Sequence, residues 1–62
     1  MFERACQTIR EQYSIYLGEF INAQVAEEDE DFITYVGDKH YFEFKLDGDT
    51  MKLVNITDIV YF

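Results

Sequence analysis

The hydrophobic pattern of this chain changes at one point, a run of five consecutive carboxylates from Glu27 to Asp31. Before this run the large apolar residues recur at alternating four- and three-residue spacings, which places them on one side of an α-helix; they are Phe2, Cys6, Ile9, Tyr13, Tyr16 and Phe20. After the run, β-branched and aromatic residues form short segments separated by turn-forming residues, as in β-strands. The sequence therefore predicts a helix followed by a sheet.

We expect the helix to cover residues 2 to about 16, and we expect strands at 32–36, 40–46, 51–56 and 59–62. Gly37-Asp38 predicts a turn with positive φ at its first central residue, and Asp47-Gly48 predicts a tight hairpin turn. In the middle strand Phe42, Phe44 and Leu46 alternate with Tyr41, Glu43 and Lys45. This alternation indicates a sheet with one buried face.

Residues 18–26 fit two descriptions, a second helical piece or a first strand. The first leads to an α+β fold in which an N-terminal helix packs on an antiparallel meander of three to four strands. The second leads to a small SH3-like or Sm-like β-barrel with an N-terminal helix. In both cases residues 1–62 form a single domain.

The composition limits the surroundings in which this domain works. The formal net charge of −8 repels nucleic-acid phosphates and anionic membranes, so we expect direct binding to neither. The N-terminus lacks a signal-peptide pattern, and no apolar stretch is long enough to span a membrane. The single cysteine, Cys6, cannot form an internal disulfide. We expect a reducing compartment, the cytoplasm.

The residue types that usually carry chemistry are scarce. Cysteine–histidine catalysis needs the two side chains in hydrogen-bond reach, and nothing in the pattern brings Cys6 and His40 together. A zinc site needs about four such ligands, and the acidic segments lack the alternation of a calcium-binding EF-hand loop. We therefore predict no enzymatic activity, no catalytic residue, no cofactor and no metal site.

The acidity itself suggests a function, which is docking on a protein with a basic surface. Carboxylates presented where phosphates would lie would block a nucleic-acid-binding protein, and the charge would steer the encounter. The candidate partner-binding residues are Glu27, Glu28, Asp29, Glu30, Asp31, Asp38, Asp47 and Asp49. Small acidic proteins of this kind are common among phage and mobile-element regulators.

The helix containing Ala5-Cys6-Gln7, the hairpin after it and the closing segment from Lys52 to Ile59 together resemble the small acidic Rof proteins, which are Sm-like inhibitors of the transcription terminator Rho. This resemblance implies a barrel fold and binding to a basic, RNA-binding surface.

The alternative function is a homo-oligomeric interaction module, in its simplest form a homodimer. On this hypothesis Tyr35, Tyr41 and Tyr61 lie on the sheet face away from the helix and form the interface. The strand expected at 59–62 would add a sheet edge that a second copy extends. If the fold is a barrel, the tyrosines instead fill its interior.

Overall fold

The computed structural model describes residues 2–60 and shows an α+β fold. Helix α1 covers Phe2–Gln12, a 3₁₀ turn covers Ser14–Tyr16, and a short helix α2 covers Leu17–Phe20. The four strands that follow are β1 (Gln24–Glu28), β2 (Phe32–Val36), β3 (His40–Asp47) and β4 (Thr50–Asp58). They form one antiparallel sheet in the order β1-β2-β3-β4, with the helices packed on one side.

The predicted helix on an antiparallel meander is confirmed, and the barrel alternative is wrong. Strands β1 and β4 are the two edges of the sheet and do not pair with each other, so the sheet stays open. The helical segment covers the apolar face that a closed barrel would have to turn inward. We call this covered side of the sheet the inner face, and the opposite side the outer face.

The helix ends earlier than its apolar spacing predicts. Tyr13 has φ −144° and ψ 54°, a conformation outside the helical region, so α1 stops at Gln12 and the chain turns before α2 begins. Residues 18–26 were expected to form either a second helical piece or a first strand, and they contain part of each, the end of α2 and the start of β1.

The fourth strand comes from a different part of the chain than predicted. The expected strand at 51–56 extends to Asp58 and is β4, whereas Ile59 and Val60 follow the sheet without strand structure. The remainder of the expected strand at 59–62, Tyr61 and Phe62, lies outside the described residues. The segment beginning at Gln24 forms the edge strand β1 instead.

The two predicted hairpin turns are present, but they use glycine differently. Gly48 has φ +61°, which suits its place at the tight β3–β4 turn because glycine has no Cβ to clash. The expected positive φ at Gly37 is wrong. A Cβ at Gly37 would lie 2.4 Å from Oε2 of Glu19, so this position needs glycine for space.

Phe20 lies at the centre of an aromatic core on the inner face. Its ring is fully buried, and its centroid lies 5.1–5.7 Å from the centroids of four other rings, those of Phe2, Tyr35, Phe42 and Phe44. Ala5 and Ile9 of α1 and Ile33 and Met51 of the sheet complete the buried set. Such ring pairs add to the free energy gained from burying apolar area.

The prediction that Tyr35 lies on the face away from the helix is wrong, because only 2% of this residue is exposed. Tyr35 is paired with the inner-facing Phe42 across the β2–β3 ladder, and residues directly opposite each other share a face. Tyr41 alternates with Phe42 and lies on the outer face, where 39% of it is exposed. Tyr61 lies outside the described part of the chain.

We predict that replacing Phe20 by alanine lowers the free energy of unfolding by about 3–5 kcal/mol, because it leaves a cavity amid four rings. This loss is comparable with the whole stability expected of so small a core, so circular dichroism at room temperature should show a largely unfolded chain. The milder Phe20→Leu variant should fold with a lower urea midpoint. As a control, Ile15→Ala should change stability by less than about 0.5 kcal/mol, since Ile15 is 87% exposed. A Phe20→Ala variant as resistant to urea as the parent would contradict this account of the core.

Candidate functional site

Two acidic turns meet at one end of the sheet. The β1–β2 turn and the β3–β4 turn lie at the same end because Phe32 pairs with Lys45, and the N–H of Leu46 donates to the carbonyl of Asp31 at 2.7 Å. We call this region the acidic end. It comprises six exposed acidic residues, Glu28, Asp29, Glu30, Asp31, Asp47 and Asp49.

The turns of the acidic end are fixed by their own hydrogen bonds. Oδ1 of Asp29 accepts the N–H groups of Asp31 and Phe32, both at 2.8 Å, so this side chain holds the β1–β2 turn. Thr50 Oγ1 donates to the carbonyl of Asp47 at 2.8 Å across the β3–β4 turn. These contacts order the backbone that carries the carboxylates.

Basic residues lie beside this region, but within the described part of the chain they do not form ion pairs with its carboxylates. Lys45 pairs with Lys52 across β3 and β4 and with Phe32, the residue after Asp31, across β2 and β3. The guanidinium of Arg4 reaches the acidic end, but it donates to the backbone carbonyl of Asp49. Among residues 2–60, no ion pair involves a carboxylate of the acidic end. The six carboxylates therefore form a region of negative potential open to solvent.

Two of the predicted partner-binding residues lie elsewhere. Asp38 is in the β2–β3 turn, at the opposite end of the sheet, so it does not join the other acids. Glu27 is paired with Thr34, further into the sheet, and its side chain belongs to the outer face.

Glu19, His40 and Asp58 form a cluster that was not predicted from the sequence. The cluster lies at the end of the sheet that carries Asp38. Oε2 of Glu19 accepts the N–H groups of Lys39 and His40, both at 2.9 Å, and Oε1 lies 2.9 Å from Nδ1 of His40. Nε2 of His40 lies 3.3 Å from Oδ1 of Asp58. We call these three residues the Glu19–His40 cluster. It ties α2 to the β2–β3 turn, and no local pattern signals it because its members are about 20 residues apart in sequence.

The environment of Glu19 changes its titration. Partial burial opposes ionisation, but the N–H of Lys39 and the imidazole and N–H of His40 outweigh it and hold the pKa of the Glu19 carboxyl below its ordinary value. The carboxylate is thus stabilised in its charged form by the fold itself.

No hydrogen bond joins Cys6 to His40 within residues 2–60. His40 contacts the rings of Tyr16 and Phe42 as well as its two carboxylates, and Cys6 is not among these neighbours. Burial raises the pKa of the Cys6 thiol, with the positive charge of Arg10 acting in the opposite direction. The thiol is therefore less readily ionised than a free cysteine.

The described residues contain no group of three or more histidine, cysteine, aspartate or glutamate side chains placed to hold a metal ion. Within the same residues, every helix is too short or too polar to cross a membrane. Comparison with protein families, with curated proteins and with solved structures finds no match to this chain.

We predict that Glu19→Gln destabilises the chain in a pH-dependent way. The lowered pKa means that ionised Glu19 stabilises the fold above its ordinary pKa of 4.5, and that this contribution is lost as the pH falls below that value. Urea unfolding should show a deficit of about 1.5 kcal/mol near neutral pH that narrows in acid. The exposed control Glu11→Gln should change stability near neutral pH by less than about 0.5 kcal/mol. A deficit that stayed constant or widened in acid would contradict the assignment.

A pair of glycine substitutions tests the packing around the same carboxylate. We predict that Gly37→Ala destabilises the chain, because the new Cβ would displace the Glu19 side chain from its hydrogen bonds. Gly18→Ala meets no atom within 4 Å and should stabilise α2 by about 0.5–1 kcal/mol. Thermal unfolding of both variants measures the contrast, and equal effects of the same sign would refute it.

Proposed function

We propose that this chain is a small, non-enzymatic acidic binding protein that docks its acidic end on the basic site of a nucleic-acid-binding protein, as a regulator or inhibitor. The observation that carries the proposal is that two turns, separated in sequence, lie side by side with six carboxylates and no compensating ion pair among the described residues. Opposite charge on the partner would make this contact favourable and accelerate its formation.

The geometry supports docking on a cationic site. Two turns present their carboxylates side by side to solvent at one end of the sheet, where positive charges on a partner can reach them. The hydrogen bonds of Asp29 and Thr50 keep the turns ordered before binding, which reduces the entropy lost on association. A cytoplasmic location accords with this role, because nucleic-acid-binding proteins are present there and Cys6 stays reduced.

A second candidate function is self-association through the outer face of the sheet. It is favoured by the exposed aromatic residues on that face, since Phe32 is 38% and Tyr41 is 39% exposed. Tyr35 no longer supports it because Tyr35 is in the core. Sedimentation of the protein over a range of concentrations separates the two candidates, because only self-association makes the apparent mass rise with concentration.

We predict that a variant with three neutralised side chains at the acidic end, Glu28→Gln, Glu30→Gln and Asp49→Asn, loses its partner. Immobilised parent protein should retain a nucleic-acid-binding protein from cell lysate and release it at moderately raised salt, since exposed charges are screened over about 8 Å at physiological ionic strength. Adding a short nucleic acid should displace the parent protein from the purified partner. The triple variant should bind at least about tenfold more weakly.

The matched control removes the same three charges elsewhere, by Glu3→Gln, Glu11→Gln and Asp38→Asn. It should bind the partner nearly as well as the parent, because Glu11 follows the acidic-end contact of Arg4 by about two helical turns and Asp38 lies at the opposite end of the sheet, whereas Glu3 tests the border of the acidic end. The proposal fails if both variants lose binding equally, if the partner resists high salt, or if the nucleic acid does not compete.

A further inference from the structure

The outer face of the sheet has a shallow concavity with a volume of about 490 Å³, and no described element covers it. We call it the dish, and its polar and aromatic lining comes from all four strands: Glu27, Thr34, Tyr41, Glu43, Asn55 and Thr57. Glu27, Thr34, Glu43 and Asn55 follow one another across the sheet in a single row of paired residues. Their side chains therefore point to the same face.

A β-bulge in each edge strand creates the two ends of this row. In β1 Val25 pairs with the buried Tyr35, but Glu27 pairs with Thr34, so Ala26 is an extra residue. Regular alternation would have left Val25 and Glu27 on the same face. The bulge instead turns Glu27 outward into the dish.

The bulge in β4 does the same at the other edge. Leu53 pairs with the buried Phe44, and Asn55 pairs with Glu43, which leaves Val54 as the extra residue. Without this bulge Asn55 would point toward the helices. Two independent irregularities of the ladder thus direct a carboxylate and an amide into one surface.

The carboxylate at the centre of the dish has no partner within the described residues. Glu43 is half-buried on the central strand β3, and its cross-strand neighbours are Thr34 and Asn55. Neither the Glu43 nor the Glu27 carboxylate makes a hydrogen bond or an ion pair with any residue from 2 to 60. A partly desolvated carboxylate gains most from a cation that also donates hydrogen bonds.

Tyr41 adds an aromatic surface beside this carboxylate. It lies two residues from Glu43 on the same strand face, about 6.6 Å along the strand, and its ring is partly exposed. The lysines of this face, Lys45 and Lys52, pair with each other on the other side of Glu43 and do not line the dish. The two lysines repel a cation that approaches Glu43 from their side, so a cation is expected to bind between Glu43 and Tyr41.

A guanidinium group matches this combination better than an ammonium does. It is planar, it can donate two hydrogen bonds to one carboxylate, and it stacks on aromatic rings. We infer that the dish binds an arginine side chain on the basic surface of the partner, with Glu43 accepting its hydrogen bonds and Tyr41 contacting its plane. That the arginine belongs to a nucleic-acid-binding partner rests on the proposed function, whereas the affinity of the dish for guanidinium does not.

The test is a titration of the isotope-labelled protein with N-acetyl-arginine amide, followed by backbone NMR shifts. We expect saturable shifts at residues 27, 34, 41, 43, 55 and 57, with affinity on the order of millimolar. The neutral analogue N-acetyl-citrulline amide should cause no saturable shift. Glu43→Gln should weaken binding about tenfold, and Tyr41→Leu should weaken it measurably.

Glu11→Gln provides the control, because it removes the same charge from an exposed position outside the dish and the acidic end and should leave the titration unchanged. Urea unfolding confirms that each variant is folded before it is titrated. The inference would be overturned if citrulline caused equal shifts or if the control variant lost arginine binding to the same extent. It would also be overturned if the shifts at the dish depended on protein concentration alone. Retained arginine binding together with intact partner binding by the acidic-end triple variant would refute the proposed function and leave the dish standing.

Discussion

Phe20 and the residue before it connect the helical segment to the sheet in two different ways. The Phe20 ring is surrounded by four other rings and provides the centre of the inner-face core. Glu19, its neighbour, accepts two backbone N–H groups of the β2–β3 turn. The break in the helix at Tyr13 lets this dipeptide approach the sheet, since a continuous helix would carry it away along the axis of α1. Helix α1 adds the buried side chains of Ala5 and Ile9, which pack on the same face of the sheet.

This arrangement divides the surface of the sheet by role. The aromatic residues of the inner face pack around Phe20, and Glu19 accepts hydrogen bonds from the β2–β3 turn. At the opposite end Arg4 donates to the carbonyl of Asp49, and this end and the outer face carry most of the carboxylates that make no ion pair with the described residues. The proposed docking surface and the proposed arginine site are adjacent, because Glu27 immediately precedes the acidic end. A basic protein surface that contacts one would bring its side chains within reach of the other.

The sequence predicted the features that depend on local pattern. The alternation around Phe42 and Phe44 identified the inner face of β3, and Gly48 marked its tight turn. The helical spacing identified α1 but not its end, because Tyr13 fits the apolar stripe and its backbone conformation is set by the packing of the segment that follows. Tyr35 was misplaced because β2 has apolar residues on both faces, so only pairing with β3 decides which side is buried.

The candidate site was predictable in part for the same reason. The run from Glu27 to Asp31 is visible in the sequence. That this run lies near Asp47 and Asp49, and far from Asp38, follows only from the strand order. The bulges at Ala26 and Val54 have no signature in the residues themselves, because each is a matter of register between strands. The Glu19–His40 cluster likewise joins segments that only the tertiary fold brings together.

The most direct test of this account is amide hydrogen exchange of the protein, alone and bound to a nucleic-acid-binding protein that it retains. The β1–β2 turn, residues 29–31, and the β3–β4 turn, residues 48–49, should become protected together, because they form one contact surface despite their separation in sequence. The β2–β3 turn at residues 37–39 should exchange as it does in the free protein. Protection of only one acidic turn, or protection centred on residues 37–39, would contradict the account.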